Sequence, residues 1–144
     1  MLDRAWIAAH IPHQGSMCLL NAVLSWDERQ IVCEATSHAL ADNPLRAEGR
    51  LGSAAGVEYA AQAMAVHGGL LAPADSPPTQ GYLTSVRGLS LHVARLDDVA
   101  GPLRVTAERL SGDERLILYQ FQLHHGDRCL LEGRASVVLD AQAL

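Results

Sequence analysis

The chain has 144 residues, of which 49% are hydrophobic and 19% charged, and its formal net charge is -5. Such a length and balance fit one globular domain with its own core and exclude a disordered chain, while the negative charge and the lack of any basic run argue against nucleic-acid binding. There is no lysine, which excludes Schiff-base and lysine-nucleophile chemistry. Cys18, Cys33 and Cys129 are too widely spaced for a CxxC metal or redox pair and read as reduced, buried thiols. Asp3, Arg4 and His10 interrupt the stretch where a signal peptide needs an apolar core, and nothing later is long enough to span a bilayer, so the expectation is a soluble cytoplasmic protein.

In chain order, residues 3–10 predict a short helix ending before Ile11-Pro12-His13, because a residue preceding proline is steered away from helix. A turn follows at Gln14-Gly15-Ser16. Residues 17–26 and 29–38 read as two strands joined in a hairpin across Asp27-Glu28. Residues 39–53 (ALADNPLRAEGRLGS) have no periodicity, and a loop of that length is usually functional or disordered. A helix is predicted over 54–69, stopped by Gly68-Gly69 and the Pro73–Pro78 stretch. Four strands follow, over 81–96, 102–111, 115–125 and 128–139. The short turns between them, at Asp97-Asp98, Ser111-Gly112-Asp113 and His125-Gly126-Asp127, favour antiparallel neighbours. The sum is an α+β architecture, a curved antiparallel sheet wrapped around one long central helix whose alanines and glycines admit close approach.

The central helix carries the strongest functional signal. Its only polar side chains are Glu58, Gln62 and His67, so it should be buried nearly all round. A glutamate in that setting must be paired, protonated or catalytic. Burial would raise the Glu58 pKa and favour the acid form. Gln62 lies one turn further on, within hydrogen-bonding reach of Glu58. His67 falls at the helix C-terminus, where a protonated imidazole favours the dipole. His124 and His125 are adjacent on a strand and point to opposite faces, which argues against a metal pair. The backbone N–H groups near Gly56 and Val57, at the helix start, lack intrahelical partners and are placed to hold a carbonyl oxygen.

Three segments together resemble the FabZ-type β-hydroxyacyl-acyl-carrier-protein dehydratases, and within them the divergent ApeP-like subfamily of aryl polyene clusters. These are Ile11-Pro12-His13 with Met17-Cys18-Leu19-Leu20 and Ala22-Val23-Leu24, then Gly56-Val57-Glu58-Tyr59-Ala60-Ala61-Gln62-Ala63, and last Gly81-Tyr82-Leu83 with Glu132-Gly133-Arg134-Ala135-Ser136-Val137. The resemblance spans nearly the whole chain and implies a single hotdog domain over 1–144. It further implies dehydration of 3-hydroxyacyl thioesters on an acyl carrier protein to trans-2-enoyl thioesters, in fatty acid or polyene-type biosynthesis, with no cofactor, metal or membrane association.

Such enzymes pair a helix carboxylate with a histidine from a Gly-His-Phe-Pro stretch. Here the corresponding loop reads Ala41-Asp42-Asn43-Pro44-Leu45-Arg46, and His38 is the nearest replacement. The resemblance therefore gives the proton-transfer roles to Glu58 and His38, and a structural role to His13. It also implies a homodimer, or a heterodimer with a related hotdog subunit, whose active sites lie at the interface. Tyr59, Met64, Leu83 and Val86 are then tunnel walls or ordinary core, and Arg46, Arg50 and Arg87 are candidates for docking an acidic carrier. The alternatives are a hotdog thioesterase in which Glu58 activates water or attacks the thioester, a non-catalytic scaffolding subunit of a heteromeric dehydratase, and an acyl-binding module.

Overall fold

A computed structural model describes residues 1–11, 15–72, 81–113 and 115–139. The strands are β1 (Leu2–Asp3), β2 (Ala22–Trp26), β3 (Gln30–Ala35), β4 (Gly81–Leu91), β5 (Leu103–Gly112), β6 (Leu116–His125) and β7 (Arg128–Leu139), and the helices are α1 (Arg4–His10) and α2 (Gly56–Leu71). All strands join one curved antiparallel sheet in the order β1-β2-β3-β5-β6-β7-β4. Alternation decides which side of it meets α2. Ile31, Cys33 and Ala35 stand opposite Ala107, Val105 and Leu103, and Ala107 and Val105 in turn face Phe121 and Leu123. Every one of these side chains is buried, as are Tyr59, Ala60, Ala63, Met64 and Val66 on the helix. Burying a large aliphatic or aromatic side chain contributes roughly 1.5–3 kcal/mol, so this layered contact is the main source of stability. Gly56 sits at the tightest point, where an added Cβ would lie 2.7 Å from Leu131 Cδ2.

The expected elements form, with instructive differences. Strand β2 starts at Ala22, not at residue 17. Gly15–Met17 make a 3-10 turn and Cys18 to Leu20 run buried beneath α2. The Gln62 amide explains this, because it accepts from Leu19 N–H (2.9 Å) and donates to the Met17 carbonyl (2.7 Å), satisfying backbone groups that would otherwise need a strand partner. Strand β3 ends at Ala35, and Ser37–Ala39 form another 3-10 turn. Gly68 and Gly69 lie inside α2, which continues to Leu71 before Ala72 N–H bonds back to the Gly68 carbonyl. Glycine costs a helix only about 1 kcal/mol relative to alanine, too little to end one anchored by packing. β1 has two residues, below the length at which alternation shows.

The 39–53 loop is ordered by its own bonds. Ala47 and Arg50 exchange backbone hydrogen bonds across Glu48 (φ 54°) and Gly49 (φ 76°). Leu51 accepts from Leu96 N–H, and Asp97 takes the Leu51 amide. Beyond Leu91 the chain therefore leaves the sheet to brace the entrance of α2. The Arg95 guanidinium and the Leu51 amide hold the Asp97 carboxyl far below the usual carboxylate range.

β4 is the longer of the two edge strands, paired with β7 on one side. Tyr82, Leu83, Leu89 and Leu91 are all exposed along it, and its register with β7 shifts twice, around Leu83/Ser85 and Arg87/Ser90, with Gly88 at φ 60°. Cys18 and Cys33 are buried as expected, whereas Cys129 is half-exposed. Among the described residues no helix is long and apolar enough to cross a membrane. Pro12, His13, Gln14 and the Pro73–Pro78 stretch lie outside the described residues.

Candidate active site

His38 occupies the 3-10 turn after β3 and is 1% exposed. Its Nε2 lies 3.2 Å from the Val99 carbonyl, a contact that only an N–H can make, so Nε2 donates and, in the neutral ring, Nδ1 carries the lone pair. That Nδ1 is buried and has no hydrogen-bond partner among the described residues. Burial is the main reason the imidazole pKa falls below its usual value, outweighing the opposite pull of the Val99 and Gly101 backbone, with His125 and Arg46 adding to the fall. The turn is pinned from several directions. Ser37 Oγ donates to the Leu19 carbonyl, Asn43 Nδ2 donates to the Ser37 carbonyl, and Arg46 Nη2 donates to the His38 carbonyl.

Tyr59 ties this turn to α2. Its hydroxyl is 2.8 Å from Ser37 Oγ and 3.0 Å from Asn43 Nδ2, with the ring fully buried. Residues flanking His38 are thus bonded to the helix residue next to Glu58. Glu58 itself, in the first turn of α2, is half-buried in the single chain, so the expectation of a helix buried nearly all round does not hold at this position. Gln62 is fully buried and clamps Met17 and Leu19 as described above. Asn43 and Ser37 were not singled out in the sequence. The available signal was Asn43 before Pro44, a turn-forming pair whose Oδ1 indeed accepts from Leu45 N–H.

Two expectations at α2 are corrected. The 3-10 turn Ser53–Ala55 runs directly into the helix, and Gly56 N–H is already donated to the carbonyls of that turn, so it is not open to a thioester oxygen. Gly56 instead permits close contact with β7. His67 is not a protonated cap. It is fully buried, Nε2 donates to the Asp27 carbonyl (2.8 Å) and Nδ1 accepts from Tyr119 OH (2.8 Å), and burial lowers its pKa.

The remaining sites fall in different places. Val57 and Val86 are half-buried against the core, Met64 lies inside it, and Leu83 is exposed on β4. Arg50 and Arg87 are exposed, whereas Arg46 is half-buried and spends its guanidinium on the His38 and Gly49 carbonyls. A groove of about 510 Å³ runs past Val99, with Arg95, His125, Arg128 and Leu130 on its walls, behind the carbonyl that holds His38. Neither His38 nor Glu58 lines it.

Solved structures share this architecture. A chain of the dehydratase heterocomplex ApeI:P from Xenorhabdus doucetiae superposes with a TM-score of 0.84 at 20% identity, covering 95% of this chain and 92% of that one. Thioesterase superfamily member 2 from zebra fish gives 0.64 at 15% identity over 94% of both chains. A mutant thioesterase from Pseudomonas aeruginosa gives 0.62 at 13% identity over 84% and 81%. At these identities the likeness establishes the hotdog fold. No curated protein matches the sequence. The model of the ApeP-like family, described as ApeP dehydratase, matches residues 5–143, and the chain accordingly belongs to the ApeP-like dehydratases.

Proposed function

We propose that this chain dehydrates 3-hydroxyacyl thioesters, borne on an acyl carrier protein, to trans-2-enoyl thioesters during fatty-acid- or polyene-type chain assembly. The reading takes residues 1–144 as one hotdog domain acting in the cytoplasm. The observation that carries it is the setting of His38: Nε2 is held by the Val99 carbonyl, Nδ1 has no hydrogen-bond partner among the described residues, and burial favours the neutral ring. This is what a general base must offer at neutral pH. In the reaction Nδ1 takes the α-proton, the electron pair left on the α-carbon forms the double bond, and the carbon–oxygen bond at the 3-position breaks. Glu58 delivers the proton that turns the departing hydroxyl into water. Proton exchange with solvent then resets both groups.

Val57, Leu83 and Val86 are the proposed walls of the acyl path, while Gly56, Tyr59 and Gln62 shape it by fixing α2 against the sheet and the His38 turn. Arg50 and Arg87 are the proposed contacts with an acidic carrier, and Arg46 supports His38. A second hotdog subunit is proposed to pair along β4, since a long exposed edge strand is a template for another strand. That the Xenorhabdus doucetiae relative comes from a heterocomplex favours a related partner over an identical one.

The test is turnover of a 3-hydroxyacyl carrier protein, read by mass spectrometry as loss of one water, with the chain alone and with a related hotdog subunit. Glu58→Gln is expected to lower the rate about 100-fold or more. Unchanged turnover in that variant removes the mechanism. Release of free carrier thiol as the sole product makes the chain a thioesterase instead.

A further inference from the structure

Away from α2, three side chains with no part in the proposed reaction converge on the opposite face of the sheet. Leu123 and Leu131 reach the helix at Gly56, so their strand neighbours Gln122 and Glu132, a cross-strand pair, point away from it. The register between β6 and β7 shifts between Leu123 and His124, which brings Cys129 to the same side as Glu132 although the two are three residues apart. His92 follows the last residue of β4, and its backbone N–H bonds the Leu130 carbonyl, setting its ring over the other two. His92 Nε2 lies 2.9 Å from Glu132 Oε2, and Cys129 Sγ lies 3.5 Å from the same oxygen. All three potential ligand atoms fall within 4.8 Å of one another.

We propose that His92, Cys129 and Glu132 form a binding site for a thiophilic divalent cation, Zn²⁺ foremost, separate from the Glu58 and His38 region. Tetrahedral zinc with bonds of about 2.0 Å to nitrogen and oxygen and about 2.3 Å to sulfur needs ligand separations of roughly 3.3–3.5 Å. The Cys129–Glu132 separation of 3.5 Å matches that, the His92–Glu132 separation of 2.9 Å is somewhat short, and all three atoms lie within 4.8 Å of one another, so modest side-chain rotation brings them to it. One thiolate, one imidazole and one carboxylate select zinc over magnesium or calcium, which require more oxygen ligands. Three protein ligands leave the fourth position to water. Gln122 stands directly opposite Glu132 on β6, where its amide is placed to orient the carboxylate as an outer contact.

A cysteine nucleophile is the competing use of such residues, and the geometry opposes it. The carboxylate, not the imidazole, sits against the thiol, and burial together with Glu132 pushes the Cys129 pKa up. Binding of the cation displaces the thiol proton to solvent. It would clasp the end of the edge strand β4 to β7.

The test uses the full chain, stripped with chelator and reduced without thiols. Zn²⁺ is titrated in competition with a chromophoric chelator, and Co²⁺ binding is read by its thiolate charge-transfer absorption. One equivalent should bind with that band present. Cys129→Ser should abolish the band, and His92→Ala, at an exposed position tolerant of change, should weaken binding at least 10-fold. A Cys18→Ser variant should keep it. Failure to bind micromolar metal, or binding indifferent to both Cys129→Ser and His92→Ala, overturns the proposal.

Discussion

His38 and His67 invite comparison, because by most measures they are the same residue. Both are buried, both donate Nε2–H to a backbone carbonyl, and in both burial lowers the pKa. They differ at Nδ1. In His67 it accepts from Tyr119, a phenol whose pKa burial pushes up to about 12 and which therefore remains a donor at any physiological pH. In His38 it has no partner among the described residues. Burial and a shifted pKa thus fail to separate a structural histidine from a candidate base, whereas the hydrogen-bond inventory of the ring does. A lone pair already occupied by a phenol cannot take a substrate proton.

Substitution should split the two. His38→Gln is expected to reduce dehydration about 100- to 10,000-fold, the usual contribution of a general base, while the unfolding midpoint stays close to that of the parent. Retained turnover would erase the distinction. His67→Ala should act on stability instead. It strands the Tyr119 hydroxyl and the Asp27 carbonyl, a loss of roughly 2–4 kcal/mol measurable by urea denaturation, with the folded fraction still active at low temperature. A mild effect there would mean that its two bonds contribute less than their geometry suggests.

The smallest effect concerns pH. Burial holds both imidazoles below the ordinary histidine value of 6.5 in the folded chain, so on acidification the unfolded chain takes up protons first. Stability is therefore full above about pH 6.5 and declines as pH falls towards the folded values. His67→Gln should flatten that decline, as followed by denaturant midpoints across the acidic range. An unchanged slope would assign the titration elsewhere.

Much of this was open to reading in the sequence. Period-two runs after residue 80 and the alanine-rich stretch around Glu58 are patterns that local physics enforces, and the strands and helix form there, although β4 ends at Leu91 where a strand to residue 96 was expected. What escaped was made by contacts distant in the chain. Residues 17–20 carry a strand-like pattern, yet Gln62 captures their backbone from 43 and 45 residues away. Gly68-Gly69 reads as a stop, yet the packing of Met64 and Val66 and the buried bonds of His67 carry the helix past it. The partners that distinguish His67 lie 40 and 52 residues off. His38, by contrast, could be picked out as a candidate, but its open nitrogen could not. The trio around Glu132 is likewise invisible to spacing rules, because strand register and one irregularity assemble it.

The twice-shifted register of β4 bears on the fate of the chain during synthesis. A flat, regular edge welcomes any passing strand, its own copies included, and so invites aggregation. An edge strand whose pairing with β7 is broken at Leu83/Ser85 and again at Arg87/Ser90, with Gly88 turned to positive φ, is a poorer template for indiscriminate strand addition. Its exposed leucines still demand cover. If the proposed second subunit covers them, the chain should keep best when produced in step with it, and the chain made alone should be more prone to precipitation.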